Sequence, residues 1–140
     1  MKVICDREKL FAAFQTAASV APTRSPKPIL QNVKLEISDG AATLIATDLE
    51  VGIRIDVPGI DIEVEGSAIL PVNRFGSILR ENSDEKLALE ADSQGTIVRG
   101  ERSEFNLPAE EPQEFPNVDQ FGEEKFHEVP ARLFREIIRR

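Results

Sequence analysis

Apolar and polar positions along the chain follow two different periods, and the switches between them mark its elements. Residues 1–5 read as a short strand, after which Asp6 is placed to cap a helix. Leu10, Phe11, Phe14, Ala17 and Ala18 recur at helical spacing and give that helix one apolar face. Pro22, Pro26 and Pro28 end it and make residues 21–28 a loop. Val33, Leu35 and Ile37 then alternate with polar residues as a half-buried strand does. Asp39-Gly40 signals a tight hairpin, and residues 43–47 form the return strand. Val51, Ile53, Ile55 and Val57 alternate once more, until Pro58-Gly59 stops them.

The same order then recurs. A strand within residues 61–70 ends at Ile69-Leu70, and Pro71 suits the first turn of a helix whose apolar face is Val72, Phe75, Ile78 and Leu79. Leu87, Leu89 and Ala91 alternate in a strand, Ser93-Gln94-Gly95 turns into residues 96–99, and a last strand near 103–107 carries Phe105 and Leu107 on one face. Residues 108–124 are rich in proline and acids and read as a linker. A third copy of the order begins after it, with a strand at 126–129 and Pro130 opening another helix. Pro71, Phe75, Ile78 and Leu79 overlay Pro130, Phe134, Ile137 and Ile138; Leu10 and Phe14 fit the first helix onto them more loosely.

The pattern predicts an α+β fold of two strand–helix–three-strand repeats, about 1–59 and 60–110, with helices on one face of antiparallel sheets. Proline is common at helix starts, so the overlay alone also arises by chance. Arg140 falls inside the third helical pattern, and the chain is therefore expected to be part of a longer protein.

Charge sharpens the picture. The net charge is −8, which argues against a protein that grips nucleic acid by bulk attraction. The distribution is uneven. Residues 1–30 carry five basic and two acidic groups, residues 71–82 net +1 and residues 126–140 net +2, whereas the strand-rich 31–70 carry −6 and 83–125 carry −8. Helices gathered on one face would make that face mildly basic, suited to a weak, sequence-independent hold on a phosphate backbone. Lysine and arginine are also good helix formers that decorate solvated faces, which accounts for the split equally well at this level.

Other chemistry finds little support. Cys5 is the only cysteine, so no intrachain disulfide forms, and its apolar neighbours Val3 and Ile4 make it a structural thiol. One Cys and one His, His127, cannot supply a zinc set, and no metal or cofactor is expected. No glycine-rich phosphate loop is present. Asp48 and Glu50 could form a carboxylate pair, but without Trp or Tyr to stack a sugar a hydrolase is disfavoured, and a solvated acidic turn is the better reading of the two. No apolar run approaches the roughly 20 residues that cross a bilayer, and a cytoplasmic location is expected.

One family gathers these features. Met1-Lys2 with Arg7-Glu8 and Leu10, Arg24 followed by Pro28-Ile29-Leu30, Asp39-Gly40 followed by Thr47-Asp48-Leu49-Glu50, Pro71 with Phe75 and Ile78, Arg102-Ser103 with Phe105-Asn106-Leu107, and Phe115-Pro116-Asn117-Val118-Asp119 resemble, in order, the start of bacterial DNA sliding clamps, the β subunit of the replicative polymerase. The resemblance implies the clamp fold, with residues 1–122 as the first domain and 123–140 as the start of the second. It implies a non-enzymatic ring around duplex DNA, a head-to-tail homodimer that keeps the polymerase processive. Arg24 would contact DNA in the loop at the hole. Asn73 stands where the family often has a basic residue, so any contact there would be uncharged. Lys9, Arg80, Arg135 and Arg139 are candidates by charge and helical position. Arg74, Ile78, Phe105 and Leu107 match the dimer edge, although Ile78, Phe105 and Leu107 also read as ordinary core. Polymerase and clamp loader would engage later domains. An acidic protein-interaction module is the competing reading, and it leaves the repeat unexplained.

Overall fold

The computed structural model describes residues 1–118 and 131–138. Strand β1 (Lys2–Asp6) leads into helix α1 (Arg7–Ala18), whose first turn is capped as expected, the Asp6 side chain accepting from the Lys9 amide. A 3-10 turn (Pro28–Gln31) precedes β2 (Asn32–Ser38), β3 (Ala41–Thr47) and β4 (Gly52–Asp56). The hairpin between β2 and β3 turns on Asp39 and Gly40, at φ 54° and 74°, the left-handed pair that such a two-residue loop demands.

The stretch read as one strand within 61–70 is two. β5 (Ile60–Val64) and β6 (Gly66–Pro71) belong to different sheets. The break falls at Glu65, just before Gly66, whose φ of +148° favours glycine and whose hydrogen faces Met1, where a Cβ would lie 3.1–3.3 Å from three Met1 atoms. Helix α2 (Val72–Glu81) follows, with Pro71 as its cap residue and not its first turn. β7 (Lys86–Asp92), β8 (Gly95–Arg99) and β9 (Glu104–Pro108) complete the second repeat, and α3 (Ala131–Ile138) lies at the expected third helix. The strand expected at 126–129 and His127 lie outside the described residues.

The two repeats exchange their leading strands. One sheet runs β5-β1-β7-β8-β9 and the other β4-β3-β2-β6, with every pairing antiparallel. Neither repeat can therefore complete a sheet alone. Val3, Leu87, Leu89 and Val98 of the first sheet and Val33, Leu35, Leu44 and Leu70 of the second join Leu10, Phe14, Phe75 and Leu79 of the helices in one core. α1 rests on β1 to β4, α2 on β6, and the helices meet each other through Phe14 and Phe75, ring centroids 5.0 Å apart and edge to face at 72°.

Residues 112–118, read as part of a free linker, are a strap across the outer face of the second sheet. Ile45 and Ile69 point outward there and need cover. Phe115 supplies it, with Ile29 and Val118 at its margins. Val118 closes on the bare Cα of Gly52, where a Cβ would lie 2.8 Å from its Cγ1, and its carbonyl accepts from Arg54 Nη1 at 3.1 Å. Proline and acid content hid one aromatic anchor.

Cys5 is buried, and its thiol donates to the Leu87 carbonyl at 3.4 Å. Burial, with a smaller contribution from the Asp6 charge, pushes it from an ordinary 9.0 up to about 12. The folded state thus favours the neutral thiol. That preference is fully present below about pH 9 and is lost as pH rises from there toward 12. A thiol reagent at pH 8 is expected to leave the native chain unmodified and to label it fully in urea; rapid native labelling would contradict this packing.

Candidate functional site

Basic side chains fall into two groups. On the sheets, Lys2 pairs with Glu63 at 3.5 Å, Lys34 with Glu36 at 3.9 Å, and Arg99 with Glu90 and Glu104 at 3.2 and 3.4 Å, Arg54 is bonded to the strap, and Lys86 on β7 is exposed and in no ion pair among the described residues. On the helices and the first loop, Lys9, Arg24, Lys27, Arg74 and Arg80 are exposed, and among the described residues none of them forms an ion pair. The helical side therefore carries positive charge that the domain itself does not consume. Asp39, Asp48, Glu50, Asp56, Asp61, Glu63 and Glu65 are exposed on and between the strands. The charge split seen in the sequence is thus a split between elements, with the exposed cations on helices and first loop and the exposed acids on strands and their turns.

The candidate phosphate contacts are not one cluster. Asn73 and Arg80 line the same groove between α1 and α2, whose floor includes Phe14 and Gly76. Lys9 is exposed on α1, its stem alongside Gly59 in the turn between β4 and β5. Arg24 is exposed in the loop after α1. Arg135 is exposed on α3, and Arg139 lies outside the described residues.

The edge candidates sit on the other flank of α2. A cavity of about 830 Å³ opens between α2 and the β9 edge, lined by Arg74, Ser77, Ile78 and Glu81 on one wall and Arg102, Ser103 and Phe105 on the other. Arg74 is exposed and Phe105 half-buried, so both present surface. Ile78 is 6% exposed and forms the socket's apolar back, whereas Leu107, 3% exposed, packs in the core and lies outside this socket. Alternation puts both side chains on one face of β9, Leu107 opposite Thr96 and Phe105 opposite Val98; they differ in depth because the core covers Leu107 while Phe105 borders the open socket. Sequence reasoning missed Arg102, Asn82 and Asp84 in the socket lining. Arg102 was legible as a cation beside an edge strand; Asn82 and Asp84 gave no signal, since their position depends on the turn between β8 and β9.

Asp48 and Glu50 form the acidic turn that the sequence favoured. Asp48 Oδ1 accepts from the amides of Glu50 and Val51 at 2.9 and 2.7 Å, and the Val51 and Glu50 amides hold its carboxyl below the usual range. Thr47 Oγ1 accepts from the Leu49 amide and donates to the Val51 carbonyl. The turn fixes Leu49 at φ 80° with its side chain 57% exposed. Among the described residues no group of three or more His, Cys, Asp or Glu could hold a metal ion, and no helix is long and apolar enough to cross a membrane.

The exchanged repeats, the paired helices and the open β4 and β9 edges define the class: an internally duplicated α+β clamp domain. The chain belongs to the DNA polymerase III beta subunit family, whose N-terminal domain model matches residues 1–119. It is similar to the beta sliding clamp of Haemophilus influenzae (29% identical over 139 residues, 99% of this chain and 38% of that one) and of Bacillus subtilis (26% over 147 residues, 99% and 39%). The crystal structure of the Bacillus subtilis DNA polymerase sliding clamp superposes with a TM-score of 0.93 at 26% identity, covering 99% of this chain and 39% of that one. The Streptococcus pyogenes beta subunit, at 21% identity and a TM-score of 0.90, shares the fold. The chain spans about 38% of the length of the curated relatives it matches.

Proposed function

We propose that the protein is a cytoplasmic, non-catalytic DNA sliding clamp: a homodimeric ring that encircles duplex DNA and tethers the replicative polymerase. The observation that carries this reading is the set of exposed cations on the helices and first loop that form no ion pair among the described residues, against sheet cations of which Lys2, Lys34 and Arg99 are ion-paired, Arg54 is bonded to the strap and Lys86 alone is exposed without an ion pair. Lys9, Arg24 and Arg80 meet the backbone as scattered single charges, and Asn73 adds an uncharged hydrogen bond; Arg135 on α3 extends the series, and Arg139, outside the described residues, joins it by charge alone. Scattered contacts without base readout give weak, salt-sensitive binding. That suits a protein held by topology, because strong contacts would resist sliding. The α2–β9 socket, with Arg74, Ile78 and Phe105 and with Leu107 behind them, is where a second copy closes the ring. Polymerase and clamp loader engage later domains of the full-length protein.

Arg24 provides the test. In the full-length protein, Arg24→Ala is expected to weaken equilibrium binding to short linear duplexes of any sequence alike. It should lower the slope of log K against log salt by about 0.9, the value of one phosphate contact. An unchanged slope would remove Arg24 from the DNA interface, and a loss confined to one sequence would contradict non-specific contact.

A further inference from the structure

The socket between α2 and β9 has walls that no sheet bond connects: β9 is bonded only to β8, and α2 rests on β6 and α1. What joins them is a clasp of side chains at their ends. At the α2 terminus the Asn82 amide donates to the Ile78 carbonyl at 3.1 Å, and Arg7 Nη1 caps the Leu79 carbonyl at 3.0 Å. The same guanidinium reaches the Asp84 carbonyl through Nε at 2.8 Å, and the Arg7 amide donates to the Glu85 carbonyl. The loop after α2 is therefore fixed to the start of α1.

Asp84 carries the connection across. Its amide donates to Asn82 Oδ1 at 2.7 Å, and its Oδ2 accepts from the Glu101 amide at 3.0 Å, in the turn that starts β9. Asn82 Nδ2 adds a bond to Ser103 Oγ at 3.3 Å, and the Gly100 amide closes the turn on the Ser103 carbonyl at 2.8 Å. Gly100 is required here by contact: a Cβ at that position would run into Asp84 Oδ2.

We propose that Asp84, seated against Gly100 and backed by Arg7, is a positioning residue for ring closure, holding the α2–β9 socket in its docking shape before the second subunit arrives. This rests on the reading of that socket as the subunit contact. A socket already ordered in the free subunit spares association the cost of immobilising β9 and Phe105. Asp84 need not touch the partner to set the affinity.

The test uses the full-length protein with Asp84→Ala, Asp84→Asn and Gly100→Ala. The dimer dissociation constant is measured by sedimentation on dilution, with amide exchange over residues 100–107 and the urea midpoint alongside. Asp84→Ala is expected to weaken the dimer about tenfold, the loss of the hydrogen bond that ties the Glu101 amide to the loop after α2, and to speed exchange of the Glu101 amide and of β9. Asp84→Asn should restore both, since its amide oxygen still accepts from Glu101. Gly100→Ala should mimic Asp84→Ala by displacing the carboxylate, and it keeps the test open should Asp84→Ala not fold. Wild-type affinity in both Asp84→Ala and Gly100→Ala would overturn the proposal. So would an Asp84→Asn dimer as weak as Asp84→Ala, which would place the charge itself against the partner. So too would affinity falling only in step with the urea midpoint, without faster exchange at 100–107. A wild type that stays monomeric at all concentrations would instead contradict the subunit reading, and exchange in the variants would still decide whether Asp84 holds the socket.

Discussion

Phe75→Ala is expected to cost the 140-residue chain about 3–5 kcal/mol, the range for emptying a fully buried aromatic site. Phe75 has no exposed surface and is the α2 residue that meets α1 through the Phe14 ring. It also joins the one core that both sheets share, so the cavity would open where all layers converge. A domain of this size has about 5–15 kcal/mol in total, and the variant would lie near the edge of folding. Urea unfolding checks this: the midpoint should fall with the slope unchanged. A loss below about 1 kcal/mol would mean that the helices do not depend on this contact, and that the exchanged leading strands alone hold the repeats together.

The second large effect concerns assembly. Phe105→Asp in the full-length protein is expected to convert the dimer to monomers at micromolar concentration, a loss of about 100-fold or more in affinity, as when a central aromatic anchor is removed. Phe105 is the choice because of its depth. Ile78 and Leu107 are buried within the domain, so substituting them would confuse unfolding with dissociation, whereas Phe105 is half-buried and lines the open socket. A carboxylate there would also replace an apolar ring with a charge on a surface that must lose water on association. Sedimentation of the variant against wild type, with a urea curve as control, reads the outcome. A dimer of wild-type affinity would move the subunit contact away from the α2–β9 socket.

The fold was legible to the extent that local rules determined it. Asp6 as a cap, Asp39-Gly40 as a hairpin and the alternation in β2 and β7 follow from the chain's own neighbours. The exchange of β1 and β6 between sheets was not legible, because neither the alternation of β1 nor the continuous apolar run Ala68-Ile69-Leu70 of β6 specifies which strands it will pair with. The division of 61–70 hung on Gly66, whose demand for a bare Cα comes from Met1, 65 residues away. The strap was missed because composition averages out a single Phe115. At the site, charge by element located the cations, and burial decided among the edge residues. The Asp84–Gly100 contact joins a loop to a turn with no periodic pattern to announce it.

The central claim is that the full-length protein is held on DNA by closure and not by affinity. The most direct measurement loads it onto nicked circular duplexes, passes them through a sizing column, and repeats this after a single restriction cut. Retention on circles with loss from the linear form is the predicted result. Equal retention on both forms, or none on either, would contradict a topological clamp.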